Sequence, residues 1–226
     1  MTKKNNELYT WHLLVIYMNT LEIKRLKTPS DYETDVFVID GKPLYEYLFE
    51  WVNGNDQLLY KPDVLAICWT NKYDFAGDAK FMRFVLSQNN AITPILSCPE
   101  DFDFSCTVVV VEVEKQDDVV IWKRIGTINH SKEIFEEEKK HGILYLNSYT
   151  EADWEKYGDN IALEEVDSDA WCDWIGENWD EELYRRRINY TYPRFQDEEN
   201  IDWIAECDFS FSREEYDKLV ESRFLD

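Results

Sequence analysis

Two acidic clusters beside tryptophan hold the side chains best suited to recognition. Glu177, Asp180, Glu181 and Glu182 surround Trp179, and Asp197, Glu198, Glu199 and Asp202 follow a short way on. An aromatic ring bordered by carboxylates suits a face for a basic protein, because the ring anchors while the acids steer and orient. Trp171, Trp174, Ile175, Asn178 and Leu183 recur at near-helical spacing and predict an inward stripe. Trp179 lies off that stripe, which makes it the surface candidate. Glu164, Glu165, Asp167 and Asp169, or Asp197 to Glu199 with Asp202, could also bind Mg²⁺ or act as acid and base. In a chain with 47 acids such clusters arise without chemistry, and a solvated face is the plainer reading.

Other chemistry finds less support. Cys98 and Cys106 flank three carboxylates, but a structural zinc wants closer Cys or Cys/His pairs. The histidines are His12, His130 and His141, with no HExxH spacing. Either thiol could pair with His130 or His141 as a dyad, yet buried inert thiols are commoner. There is no GxSxG, GxxxxGK[ST] or GxGxxG, and seven glycines leave little material for a phosphate cradle. No catalytic residue, metal ligand or cofactor is assigned. Arg185, Arg186 and Arg187 would suit a phosphate, but they follow Asp180, Glu181 and Glu182 at distances that favour pairing within one helix.

The formal net charge is −23, from 47 Asp and Glu against 24 Lys and Arg. Residues 130–226 hold 28 acids and 11 bases, so the surplus is concentrated there. Such a field repels nucleic acid and anionic membranes and draws in a cationic partner. The composition is 44% hydrophobic and 15% aromatic, enough for a core rather than a disordered acidic tail. Five scattered cysteines without a CxxC pair predict reduced thiols. No signal-peptide pattern and no apolar run near the roughly 20 residues of a membrane helix is present, so a cytosolic protein is the simplest expectation.

The elements that must position these residues read as one α+β unit. A β-rich first half is expected around a hairpin over residues 106–125, followed by a helical second half. A weak subdivision falls near 126–132, between a β-rich part (1–129) and an acidic helical part (130–226). Strands are expected at Trp11–Met18, Asp35–Ile39, Val64–Trp69 and Ile143–Leu146, with Ile201–Phe211 as an edge strand or bridge. Asp40-Gly41 marks a turn into a helix bearing Leu44, Tyr47, Leu48 and Trp51 on one face, ending near Gly54. Asp78 to Leu86 reads as helix. Cys106–Val113 reads as a central strand returning through Lys115–Asp118 into Val119–Ile125. Helices follow at Ser131–His141, from Thr150 with Asp153, from Ser168 through Arg187, and from the Ser212/Glu215 capping box.

Asp40, Gly41, Pro43 and Leu44, the Cys98 to Cys106 loop, and Val120 with Trp122 at the end of the hairpin form a loose pattern over residues 35–126. It resembles an uncharacterised group of bacterial proteins. The resemblance implies a bacterial or phage source and carries no activity.

The expectation is a non-enzymatic acidic protein that occludes a basic partner, such as an immunity protein or inhibitor neutralising a toxin or nuclease. Contacts are assigned to Trp179, Glu177, Asp180, Glu181, Glu182, Asp197, Glu198, Glu199 and Asp202. The alternatives are a phage-type DNA mimic that inhibits a defence enzyme and a hydrolase using carboxylates around a divalent metal.

Overall fold

A computed structural model describes residues 18–52, 61–100, 104, 106–129, 150–157 and 169–225. Strand β1 (Leu21–Lys27), β2 (Glu33–Ile39) and the short β3 (Lys42–Pro43) form an antiparallel three-stranded sheet. Between β2 and β3 the backbone turns at Asp40 and Gly41, with φ of 51° and 80°. Asp-Gly is the pair that tolerates two consecutive left-handed residues, and that geometry matches the twist of the flanking strands. The Asp40 carboxylate also accepts from Asn19 Nδ2 at 2.6 Å and from the Thr20 N–H at 2.8 Å, fixing the entry into β1. Helix α1 (Leu44–Val52) follows at once, burying Leu44, Tyr45 and Leu48.

The second sheet has the order β4-β5-β6-β7-β8, antiparallel throughout. Its strands are β4 (Ala66–Ile67), β5 (Asn90–Ser97), β6 (Val108–Lys115), β7 (Val119–Ile128) and β8 (Ile201–Ser212). The expected hairpin is β6–β7, and β6 is central, with Val108 to Val111 all buried. A run of four valines leaves no polar face, so it fits only a strand covered on both sides. β8 takes the edge beyond β7, where Asn19 joins it through a parallel bridge to Phe211.

Strand β5 carries Pro94, which cannot donate to a ladder and is tolerated where the register slips. The slip occurs between Pro94 and Leu96, and the Pro94 carbonyl is taken by Trp69 Nε1 at 3.1 Å. Where Val64–Trp69 suggested a strand, the chain makes a helical turn at Pro62–Val64 and only two residues of β4.

Helix α2 (Ala76–Ser87) and the later α6 (Tyr192–Gln196) pack on β5, while α7 (Arg213–Arg223) lies against β7 and β8. The core is aromatic. Phe37, Trp69, Trp122, Phe211 and Tyr216 meet mainly edge to face, with Phe37–Trp69 centroids 4.8 Å apart and Trp122–Phe211 5.3 Å. Trp122 Nε1 donates to the Tyr216 hydroxyl at 3.4 Å, so the polar tips of these rings are satisfied inside.

The chain is α+β, but both halves supply both kinds of element. α1 and α2 precede the hairpin, and the twelve-residue β8 comes from the acidic half and pairs with β7. Helix α3 (Glu151–Tyr157) opens as expected: the Thr150 N–H donates to Asp153 Oδ2 at 2.8 Å and the Asp153 N–H donates to Thr150 Oγ1 at 3.2 Å. The single long helix from Ser168 is broken. It forms α4 (Asp169–Glu177) and α5 (Trp179–Arg186), separated at Asn178. Asn178 Nδ2 bonds the Trp174 carbonyl at 2.9 Å, while the Asn178 carbonyl receives the N–H groups of Glu181 and Glu182. A short amide that competes for backbone partners ends one helix and starts the next. Residues 1–17, 53–60, 101–103, 105, 130–149, 158–168 and 226 lie outside the described residues. With them go Trp11–Met18 up to Tyr17, the Gly54 stop, the Ser131–His141 helix and the Ile143–Leu146 strand.

Helices α2 and α5 touch at Gly77. A β-carbon built there falls 2.5 Å from the Asp180 carbonyl oxygen and 3.0 Å from the Tyr184 nitrogen. Gly77→Ala should therefore push the two helices apart and destabilise the fold by about 1–3 kcal/mol in urea unfolding. Unchanged stability would contradict this close approach.

Candidate functional site

The acidic start of α5 leads into three arginines, and the arrangement of those charges decides which of them reach a partner outside the chain. Glu182 is 1% exposed. Its Oε1 accepts from Arg185 Nη2 at 2.6 Å and Arg186 Nε at 2.7 Å, and its Oε2 accepts from Arg185 Nε at 3.0 Å. Arg187 reaches across to α2, where its Nε donates to Asp78 Oδ1 at 2.7 Å. All three arginines and both carboxylates are buried. The i to i+4 pairing expected from sequence is present between Glu182 and Arg186, Arg185 adds an i to i+3 pair, and both are internal to the fold. Arg187 instead spans 109 residues of chain to its partner.

Beyond Arg186 the helix widens into a π-helical turn over Arg187–Thr191, whose end is marked by the Tyr192 N–H bonding the Arg187 carbonyl. Pro193 follows without an N–H to offer, so a tight helix cannot run through this point unchanged. The turn carries the chain from α5 into α6, and Phe195 of α6 is buried beside Phe104, with centroids 6.3 Å apart.

Outside this cluster the α4–α5 corner forms a groove of about 390 Å³ against α2. Its aromatic part is Phe75 and Trp179, edge to face at 5.9 Å. Phe75 is 45% exposed, and the Arg186 guanidinium sits 5.1 Å from the Trp179 ring centroid, fixing that ring from behind. Glu177, Asp180 and Glu181 form the acidic rim with Lys80. Glu181 is ion-paired to Lys156. Glu177 and Asp180 are exposed, with no ion-pair partner within 4.0 Å among the described residues. Lys80 and Glu181 also border a second depression of about 660 Å³ that continues past Asp153, Tyr184 and Asn189.

The structure divides the nine sequence-assigned contacts. Trp179, Glu177, Asp180 and Glu181 stand together on this groove. Glu182 is a correction: it is buried beneath Arg185 and Arg186 and offers nothing to a partner. The later cluster sits elsewhere: Glu198 borders a different groove, with Asn90, Glu112, Lys123 and Gln196. Asp197 Oδ1 accepts from the Glu199 N–H at 3.1 Å and caps the turn Glu198–Asn200. Glu198 pairs with Arg124 Nη2 at 3.0 Å, and that guanidinium lies 4.0 Å from the Trp203 ring centroid. Asp202 accepts from Asn129 Nδ2 at 3.3 Å. Most of that cluster shapes the junction into β8.

Phe75 and Lys80 were not singled out from sequence. Nothing in their local pattern distinguishes them, because they join the site only through the packing of α2 on α5.

Among the described residues no group of three or more His, Cys, Asp or Glu side chains is placed to hold a metal. Cys98 is buried and Cys106 partly so, and neither is in a disulfide. Burial pushes the Cys106 thiol up, and the neighbouring Cys98 thiol adds to that shift. Cys68 and Cys207 are pushed up to about 12 by burial. Such thiols stay protonated at neutral pH and are poor nucleophiles. His130, His141, Glu164, Glu165 and Asp167 lie outside the described residues. No protein-family model, characterised protein or solved structure matches this chain.

Burial raises the Glu182 carboxyl, but the bonds from Arg185 and Arg186 outweigh it and hold the group below the ordinary value of 4.5. A carboxyl depressed in the folded state stabilises fully above its unfolded pKa, and that contribution is lost as pH falls through the folded value. Glu182→Ala, which leaves two buried guanidiniums without their carboxylate, should cost about 3–5 kcal/mol in urea unfolding at neutral pH. The advantage of the parent over Glu182→Gln should shrink as pH drops below 4.5. A constant difference across that range would mean that Glu182 does not titrate in the buried cluster.

Proposed function

We propose that this chain is a non-enzymatic acidic binding protein that occludes a basic partner, as an immunity protein or inhibitor of a toxin or nuclease does. The contact centres on the α4–α5 corner. The observation that carries this reading is the pairing of exposed Phe75 with half-buried Trp179 in a groove whose Glu177 and Asp180 carboxylates are unpaired among the described residues.

An aromatic pair held rigid by its own packing gives a partner apolar area at small entropic cost, and a wet acidic border gives orientation. Arg186 behind Trp179 and the buried pairs beneath α5 make that rigidity available before any partner arrives. The net charge of −23 adds long-range attraction for a cationic surface and speeds encounter. A nuclease groove is cationic because it binds phosphate, so the same charge that repels nucleic acid from this chain favours covering such a groove. The arginine triplet does not oppose this reading, since its guanidiniums are buried and paired with Glu182 and Asp78. Among the described residues no helix is long and apolar enough to cross a membrane, and a cytoplasmic site of action fits the proposed role.

The test is capture of basic bacterial proteins on the immobilised chain, with identification by mass spectrometry. It is run at about 0.01 M and about 1 M salt, between which the screening length falls from roughly 30 to 3 Å. A basic protein should be retained at low salt and released at high salt. Trp179→Ala should weaken its binding by about 2 kcal/mol, roughly thirtyfold. Glu177→Lys with Asp180→Lys should chiefly slow association. Retention that ignores both salt and these substitutions would remove the proposal.

A further inference from the structure

A second groove, of about 480 Å³, lies between the end of α2 and the terminal helix α7. Its chemistry runs against the rest of the chain. Leu86, Val220, Phe224 and Leu225 give it an apolar lining, and Leu225 is 72% exposed at its border. Three cations face it: Arg83, Lys115 and Arg213.

Arg213 is already paired with Asp217 through its Nε. Arg83 and Lys115 have no carboxylate within 4.0 Å among the described residues. Arg83 gives Nη2 to the Phe224 carbonyl at 3.0 Å and holds its guanidinium 5.2 Å from the Phe224 ring centroid. Lys115 gives one N–H to the Leu86 carbonyl and lies 5.7 Å from the Tyr216 ring centroid. An ammonium has three donors, so two remain for a ligand, and the Arg83 fork retains donors as well. Glu221 is the one acid on the border without an ion-pair partner among the described residues. The groove therefore keeps a small positive excess inside a chain of net charge −23.

Lys24, Lys42, Lys123 and Lys218 each hold a carboxylate on the surface, whereas Lys61, Lys72 and Lys80, like Arg83 and Lys115, have none within 4.0 Å among the described residues. What distinguishes Arg83 and Lys115 is that they line one groove with Leu86, Val220 and Phe224, an arrangement suited to a ligand that brings its own anion. Burial also pushes the Lys115 ammonium below its ordinary value, a cost that Asp217 offsets in part and Arg213 adds to, and a bound carboxylate would offset it further.

We infer that the α2–α7 groove binds a carboxylate carried on an apolar acyl chain, with Arg83 and Lys115 holding the carboxylate and Leu86, Val220 and Phe224 covering the chain. The size lies within the roughly 300–1,000 Å³ of small-ligand pockets. An acyl chain fits this lining better than an extended peptide, whose backbone amides would need partners that the apolar walls do not supply. The site is separate from the α4–α5 corner, and the inference stands whether or not that corner binds a basic protein.

The experiment is isothermal titration of the full chain with decanoate, decanol and acetate. Decanoate should bind with a Kd of about 0.1 mM or tighter, while decanol (the chain without the charge) and acetate (the charge without the chain) should each bind at least about tenfold more weakly. Lys115→Met and Arg83→Gln should each weaken decanoate by about tenfold. Arg83 is exposed, so its variant keeps the test open should Lys115→Met fail to fold. Equal binding of decanol, indifference to Arg83→Gln, or no decanoate binding at about 1 mM would overturn the inference. A peptide ending in a leucine carboxylate that binds more tightly than decanoate would overturn the acyl assignment.

Discussion

Three consecutive guanidiniums are removed from water where α5 meets α2, and the carboxylates of Glu182 and Asp78 are removed with them. Desolvating an ion costs several kcal/mol, and the cost is recovered only through close, multiply hydrogen-bonded pairing. Arg185 supplies that through two nitrogens on the two oxygens of Glu182. Arg186 shares Oε1, and Arg187 crosses to the first turns of α2. Of these bonds, the directional one from Arg187 to Asp78 spans the two elements and ties the end of α5 to α2, while the Glu182 pairs lie within α5 and compensate its buried guanidiniums. Gly77 permits the close approach, and the π-helical turn at Arg187–Thr191 carries the chain on toward β5.

The outward face of the same helix follows from this inward arrangement. With Glu182 turned into the cluster, Trp179 and Asp180 are left on the side of the groove, and Arg186 lies behind the Trp179 ring. The basic triplet that would suit phosphate is spent on the interior. What remains outside is an aromatic pair with unpaired acids, a combination matched to a cation on an apolar stem. The α2–α7 groove has the reverse character, with cations lacking acids over an apolar lining. Both ends of α2 thus border depressions, one acidic and one basic, set by which residues its neighbouring helices present.

Much of the fold was legible wherever a local rule sufficed. The four valines of β6 read as a strand covered on both faces, the Asp40-Gly41 pair as a turn, and Thr150 with Asp153 as a helix start. Failures came where distant residues decide. Pro94 argues against a strand until a register slip accommodates it, and β1 with its alternating Leu21, Ile23 and charged residues gave no signal strong enough to stand out. Asn178 is compatible with a helix interior by spacing, yet its amide bonds to Trp174 and splits the helix. Trp179, Glu177, Asp180 and Glu181, grouped by a local charge and aromatic pattern, line one groove. Glu182 was misplaced because its burial depends on the Arg185–Arg187 run folding inward against Asp78, a partner far away in sequence. Phe75 and Lys80 enter the groove for the same reason.

The most direct measurement of the central claim is the hydrogen exchange of the arginine Nε–H groups, followed by nitrogen-edited NMR at neutral pH. Buried, carboxylate-bonded guanidiniums should give persistent, slowly exchanging signals for Arg185, Arg186 and Arg187, while the exposed Arg83 exchanges fast. If those three exchange as fast as Arg83, the charged cluster is open to water and cannot be what sets α5 against α2.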